Sequence, residues 1–191
     1  GNISLAMLDL SPEADIYRQL EAAEKASLRA QDLTRQLLTF SKGGAPVKKT
    51  LNIRDLIREA AAFALRGSRV SYDFHFAEDL WRVDADEGQL SQVIHNLVIN
   101  ADHAMPEGGM ITIMCENTAV TESTGLPLRL GDYVKISIQD HGVGITKEHL
   151  SKIFDPYFTT KRKGSGLGLA TSYSIVRKHG GHIFALSELG H

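Results

Sequence analysis

Apolar and polar positions along the chain follow two periods, and the change from one to the other marks its parts. From Asp15 to Phe40, Ile16, Leu20, Ala23, Ala30 and Leu37 keep a strict 4,3 spacing, with Ser27 and Thr34 in the two gaps. Leu33 and Phe40 widen the stripe. That spacing predicts a long helix packed against other helices, as in a bundle or coiled coil. A single amphipathic helix lying on the following domain is the plainer reading. Before it, Ile3, Leu5, Ala6, Leu8 and Leu10 fit the end of another helix, stopped at Ser11-Pro12. Two helices joined by a proline turn predict an antiparallel hairpin that exposes apolar surface, so a partner hairpin from a second chain is expected.

Ser41-Lys42-Gly43-Gly44-Ala45-Pro46 breaks the pattern and reads as a domain boundary, dividing the chain into 1–43 and 44–191. Beyond it the periods alternate. Thr50 to Ile53 suggests a short strand, with Asn52 capping a helix over 54–66. Val70 to Phe76 alternates as a strand, and Trp81 to Asp84 suggests a shorter one. Asp86 to Met105 is a strong helix whose buried face is Leu90, Val93, Ile94, Leu97, Val98 and Ala101. Met110–Glu116 and Tyr133–Gln139 read as antiparallel neighbours. Lys147–Phe154 and 168–179 read as helices, and His182–Leu186 as a final strand after Gly180-Gly181.

The candidate chemistry lies in the second part. Asn96, Asn100 and His103 recur at i, i+4, i+7 on a stripe beside the buried face of the 86–105 helix. Asparagine is a poor helix former. Two asparagines one turn apart are either solvated polar residues or two amide oxygens aimed at a bound group such as a hydrated cation. Further on, Asp140-His141-Gly142-Val143-Gly144-Ile145 and Gly164-Ser165-Gly166-Leu167-Gly168-Leu169 form two glycine clusters. They flank Phe154-Asp155-Pro156-Tyr157-Phe158-Thr159-Thr160-Lys161. Glycines allow close backbone approach, and free N–H groups opening a helix near Gly168 can hold phosphates. The spacing excludes the P-loop and the dinucleotide fingerprint.

Charge and cysteine content narrow the classes. A net charge of −2 over 191 residues gives no global attraction to nucleic acid or to an anionic membrane. The single Cys115 excludes an internal disulfide framework and a cysteine-rich zinc site, and its apolar strand context suggests an inert core thiol. No apolar run approaches the roughly 18 residues of a membrane span. The expectation is a cytoplasmic piece of a longer protein that could itself be membrane-anchored.

These motifs together resemble the histidine-kinase catalytic domain of the gyrase, heat-shock-90, histidine-kinase and MutL ATPase superfamily. Asn96–Ala101 resembles the N box, Asp140–Ile145 the G1 box, Ile153–Lys161 the F box and Gly164–Leu169 the G2 box. Residues 28–41 resemble the second helix of that family's dimerisation hairpin. The resemblance implies an α+β, two-layer sandwich of the Bergerat type, a mixed sheet with helices on one face. A helical hairpin that dimerises as a four-helix bundle precedes it. ATP and Mg²⁺ are the implied cofactors. Asp140 would accept from adenine, and Gly142, Gly144 and Ile145 would pass close to the base. Asn100 would ligate the metal, and Asn96 would contact its shell or the phosphates. A lid between Ile145 and Gly164 would be packed down by Phe154 and Phe158, with Thr160 and Lys161 at the phosphates. Gly164, Ser165, Gly166, Leu167, Gly168 and Leu169 would cradle those phosphates. Asn96, Asn100 and Lys161 would be the catalytic set.

The implied activity is transfer of the γ-phosphoryl group to a histidine, for relay to a response-regulator receiver domain. None of the eight histidines precedes residue 75 or has an acidic residue directly after it, so the acceptor is expected upstream of Gly1. Asp102-His103 departs from the family's usual basic–acidic pair, which leaves His103 on phosphate or only on the surface. The implied partners are a second copy and a receiver domain, with no nucleic acid and no membrane contact by this piece. The alternatives are an ATP-sensing pseudokinase module and a gyrase- or MutL-type ATPase. Asn96 disfavours the second, because asparagine cannot act as the general base that such enzymes need.

Overall fold

The computed structural model describes residues 6–7, 10–11, 14–24, 26–27, 45–161 and 164–190. The chain packs as two units, Gly1–Lys42 and Gly43–His191. In the first, residues 15–24 and 26–27 are helical, as their period predicts. The expected hairpin helix over 28–41 lies outside the described residues, as does most of the expected 2–10 helix.

The second unit runs β1 (Lys49–Leu51), α1 (Ile53–Ala64), β2 (Val70–Phe76), β3 (Val83–Ala85) and α2 (Glu87–Ala104). It continues through β4 (Gly109–Val120), β5 (Gly131–Gln139), α3 (Lys147–Leu150) and α4 (Gly168–Lys178). A three-stranded sheet has the order β2-β4-β5, and β1 pairs with β3 in a separate two-stranded sheet. Strands β2 and β4 are parallel, as a crossover through α2 requires, with Phe74 opposite Ile113. Strands β4 and β5 are antiparallel, with Ile113 opposite Ile138. The larger sheet is therefore mixed.

One face of that sheet is the core. Ile111, Ile113 and Cys115 alternate inward from β4 and are buried. They meet Ile57 and Ala61 of α1 and Ile94, Val98 and Ala101 of α2 in one cluster, with Ile136 and Ile138 packed against it. The other face carries Asp73, His75, Met114, Glu116 and Lys135 and stays exposed. This is the two-layer, mixed-sheet architecture that the resemblance implies. Asn52 caps α1 by accepting from the Arg54 amide, and Asp86 caps α2 by accepting from Gln89. Each cap satisfies an amide that the first helical turn leaves free.

Two expectations are corrected. The 147–154 helix stops as an α-helix at Leu150, and residues 151–154 form turns. The expected final strand at 182–186 joins no ladder among the described residues. Exposure still alternates from Ile183 to Glu188. Alternation records which side of an extended segment is covered, whereas a strand also needs paired N–H and C=O groups. The residues just beyond Leu186 dock on the 140–145 loop instead. The Ile145 amide donates to Ser187 Oγ at 2.9 Å, and the Gly190 amide donates to the Val143 carbonyl at 3.1 Å.

Candidate functional site

Helices α2 and α4 form the wall of the site. The asparagine stripe lies beside the buried face of α2, and Asn96 is only 9% exposed. Its Nδ2 donates to the Gly168 carbonyl at 3.0 Å and to Ser172 Oγ at 3.3 Å. Ser172 in turn donates to the same Gly168 carbonyl at 3.0 Å. Asn96 is thus neither simply solvated nor wholly free for a ligand. Its amide group pins the first turn of α4 against the middle of α2. Asn100, one turn further along α2, keeps its oxygen outward, where Lys161 Nζ reaches it at 3.2 Å.

Lys161 lies within an electrostatic cluster. Loss of water around the ammonium holds its pKa below the ordinary lysine value, while Asp102 and Asp140 act in the opposite sense. His103 is exposed beside it. Partial burial of its ring, then repulsion from Lys161, holds its pKa below the ordinary histidine value, with Asp102 opposing. Asp102 accepts from the Ser68 hydroxyl, which fixes its position. A cation, an amide oxygen and two carboxylates therefore meet at the last turns of α2. Such an arrangement suits a ligand with both phosphate charge and a hard cation.

Asp140 follows directly on β5. Its Oδ1 accepts from the Gly142 amide at 2.9 Å, which orients the carboxylate. The Val143 amide donates to the Ala104 carbonyl at 3.1 Å, tying this loop to the end of α2. Gly142 is required here by space. A Cβ would fall 2.5 Å from the Ala104 Cβ and 2.7 Å from the Ala104 carbonyl oxygen. Ile145 enters through its backbone, by the bond to Ser187.

The segment between the glycine clusters is tied to α4 and to the second cluster. Phe154 lies 5.6 Å, centroid to centroid, from Tyr173 of α4. Phe158 meets His149 edge-on at 5.5 Å, inside the same segment. The Tyr157 amide donates to the Gly166 carbonyl at 2.9 Å. Tyr157 itself has φ 67°, a left-handed conformation uncommon for a bulky side chain. Thr160 is exposed, and Gly164, Ser165 and Gly166 run along the outer edge toward α4. Leu167 is buried, so only its backbone is available to a ligand. Leu169 is partly buried one residue past Gly168. Ser172 and Tyr173 join the site although no sequence motif marks them, and Asp102 joins it from the pair that departs from the family's pattern. Each acts through a contact made across the fold.

Residues 85–191 match the family model described as histidine kinase-, DNA gyrase B- and HSP90-like ATPase. The chain is 40% identical over 169 residues to the sensor kinase CckA of Brucella abortus (strain 2308). The match covers 85% of this chain and 18% of CckA, so the chain spans less than a fifth of that relative. A solved catalytic domain of the histidine kinase ThkA matches at TM-score 0.56 and 34% identity, over 69% of this chain and 81% of that one. A crystal structure of ThkA in complex with the response regulator protein TrrA matches at TM-score 0.64 and 26% identity, over 95% of this chain and 50% of that one. The chain therefore belongs to the histidine kinase-, DNA gyrase B- and HSP90-like ATPase family, and its second unit is similar to the catalytic domains of sensor histidine kinases.

Proposed function

We propose that this chain binds Mg-ATP and supplies the catalytic part of a protein-histidine kinase, whose phosphohistidine is relayed to a response-regulator aspartate. The observation that carries this reading is the convergence at α2. Lys161 meets the Asn100 oxygen, while Asn96 holds the α4 N-terminus one turn away. Adenine sits at Asp140, and the 164–169 backbone and the α4 N-terminus cradle the phosphates. In the transfer, an imidazole nitrogen attacks the γ-phosphorus, the bond to the β-phosphate oxygen breaks, and ADP leaves. The protein's work is positioning and charge neutralisation.

The residues present fit a magnesium ion. The Asn100 oxygen already faces a cationic group, the Lys161 ammonium, which stands where a cation would be held. Among the described residues there is no group of three or more His, Cys, Asp or Glu side chains able to hold a metal. That suits an ion carried mainly by phosphate oxygens and water, with one amide oxygen from the protein. When bound, it neutralises charge on the phosphates. The Asn96 amide is committed to Gly168 and Ser172 and has no basic group to activate water. Slow hydrolysis follows from that, which suits an enzyme that hands the phosphoryl group to a protein.

Two experiments test the reading. Calorimetry with ATP on this chain and on Asp140→Ala is expected to show binding that the substitution abolishes. A chain extended before Gly1 by a helix that carries a histidine followed by an acidic residue, incubated with labelled ATP, is expected to gain an acid-labile label. Absence of that label in a folded, dimeric, ATP-binding chain refutes the kinase reading. A second copy, joined through residues 1–43, and a receiver domain are the proposed partners.

A further inference from the structure

His179 lies at the end of α4 remote from the phosphates, and no motif above uses it. Its ring joins two helices. The Asp86 amide lies 3.0 Å from Nε2, and the Ile175 carbonyl lies 2.9 Å from Nδ1. A backbone amide only donates, so Nε2 must accept. A carbonyl only accepts, so Nδ1 must carry the proton. Only the neutral Nδ1-protonated imidazole satisfies both bonds.

The ring is held in place by the way α4 ends. Gly180 has φ 80°, and its amide donates to Arg177 at 3.0 Å, while the Gly181 amide donates to Val176 at 2.9 Å. These are the two bonds of a Schellman ending, with the left-handed position filled by glycine. The charged groups facing His179 are the Asp86 carboxylate at the N-cap of α2 and Lys48 from the preceding segment. The Lys48 ammonium donates to the His179 carbonyl at 3.4 Å. The Val47 amide also donates to Asp86 Oδ2, at 3.0 Å.

The antiparallel pair α2 and α4 is therefore pinned twice. At one end Asn96 holds Gly168 and Ser172, and at the other His179 holds Asp86. Asp86 to Asn96 is about 15 Å along a helix and Gly168 to His179 about 16.5 Å, at roughly 1.5 Å per residue. The two spans match, so each pin fixes the register of the other. If the His179 pin is released, α4 can slide or tilt along α2, and the N-terminal turn at Gly168 moves relative to Asn96 and Asn100.

We propose that His179 is a positioning residue for the phosphate end of the nucleotide site, acting as a neutral clasp between the N-cap of α2 and the C-terminus of α4. The proposal rests on the nucleotide reading above. It predicts a loss confined to ligands that carry phosphates, since adenine is assigned to Asp140, whose loop is tied to the end of α2 and not to α4.

The test is calorimetry on this 191-residue chain with Mg-ATP and, separately, adenosine. The variants are His179→Phe, which keeps a ring but removes the acceptor, and His179→Gln, whose Oε1 can accept from the Asp86 amide. His179→Phe is expected to weaken ATP about tenfold and adenosine less than about twofold, and His179→Gln to restore most of the ATP affinity. Unchanged ATP affinity in His179→Phe, or equal losses for ATP and adenosine, overturns the clasp. Should His179→Phe not fold, a folded His179→Gln that loses ATP tenfold also overturns it. A wild-type chain that binds no ATP overturns the nucleotide reading itself, and the clasp's role with it.

Discussion

Gly142 and Gly168 belong to two glycine clusters of similar composition, yet the fold treats them differently. At Gly142 an added Cβ would meet the Ala104 Cβ at 2.5 Å, the Ala104 carbonyl oxygen at 2.7 Å and Asp140 Oδ1 at 2.8 Å. Two of those three belong to groups that tie the loop together through the Val143 and Gly142 amides. Gly142→Ala must therefore displace the loop or break those bonds. Overpacking costs about 1–3 kcal/mol, and each lost bond about 1 kcal/mol. The expected total is about 3 kcal/mol, or roughly a 6–12 °C fall in Tm for a unit of about 150 residues. Because the Asp140 carboxylate moves with the loop, ATP affinity is expected to fall about 10- to 100-fold, the equivalent of one hydrogen bond to a charged group. At Gly168 the nearest atom to an added Cβ is the Asn96 side chain at 3.7 Å, an ordinary contact. Gly168→Ala is expected to hold its stability within about 1 kcal/mol of wild type while weakening ATP and sparing adenosine. Differential scanning calorimetry and titration calorimetry on both variants decide the matter. A Gly142→Ala chain that melts and binds like wild type refutes the steric argument. So does a Gly168→Ala chain as unstable as Gly142→Ala.

Asn96→Asp replaces a donor by an acceptor opposite the Gly168 carbonyl. Urea unfolding is expected to show a loss of about 2–3 kcal/mol, because a buried polar group is left facing another acceptor. Wild-type stability in that variant would mean that the Asn96 bonds to α4 contribute little. His103 has a folded-state pKa below its ordinary 6.5 because of burial and Lys161. The unfolded chain therefore binds more protons just below pH 6.5, and stability rises with pH through that window. His103→Gln is expected to flatten that part of the stability profile, measured by urea titration across pH 5 to 7. An unchanged slope assigns the effect to other groups. Cys115 is buried, with a pKa pushed up to about 12 by desolvation. Iodoacetamide at neutral pH is expected to leave it unmodified until the chain is unfolded; rapid native labelling, read by mass spectrometry, would show that the strand opens.

Most elements of the second unit, and the resemblance to the family, were legible in the residue pattern alone. Periods of 3.6 and 2 are local properties, so the helix beginning near residue 86, the alternating strands and the cap at Asn52 could be read from neighbouring residues. The glycine clusters were legible because close backbone approach leaves a composition mark. What joins distant segments left no such mark. The bond from Asn96 to Gly168 spans 72 positions, and that from Lys161 to Asn100 spans 61. Each depends on how α2 packs against α4 and on where the intervening segment folds back. The 182–186 segment shows the limit most directly. Its alternation correctly marks a covered and an open side, but whether its amides pair with a strand depends on what lies beside it. Only the tertiary structure decides that, because a backbone hydrogen bond depends on the position of its partner and not on the side chain of its owner. His179 carries the same lesson: as a lone histidine in the sequence it is chemically open, and its tautomer and role follow from the two helix ends that meet at its ring.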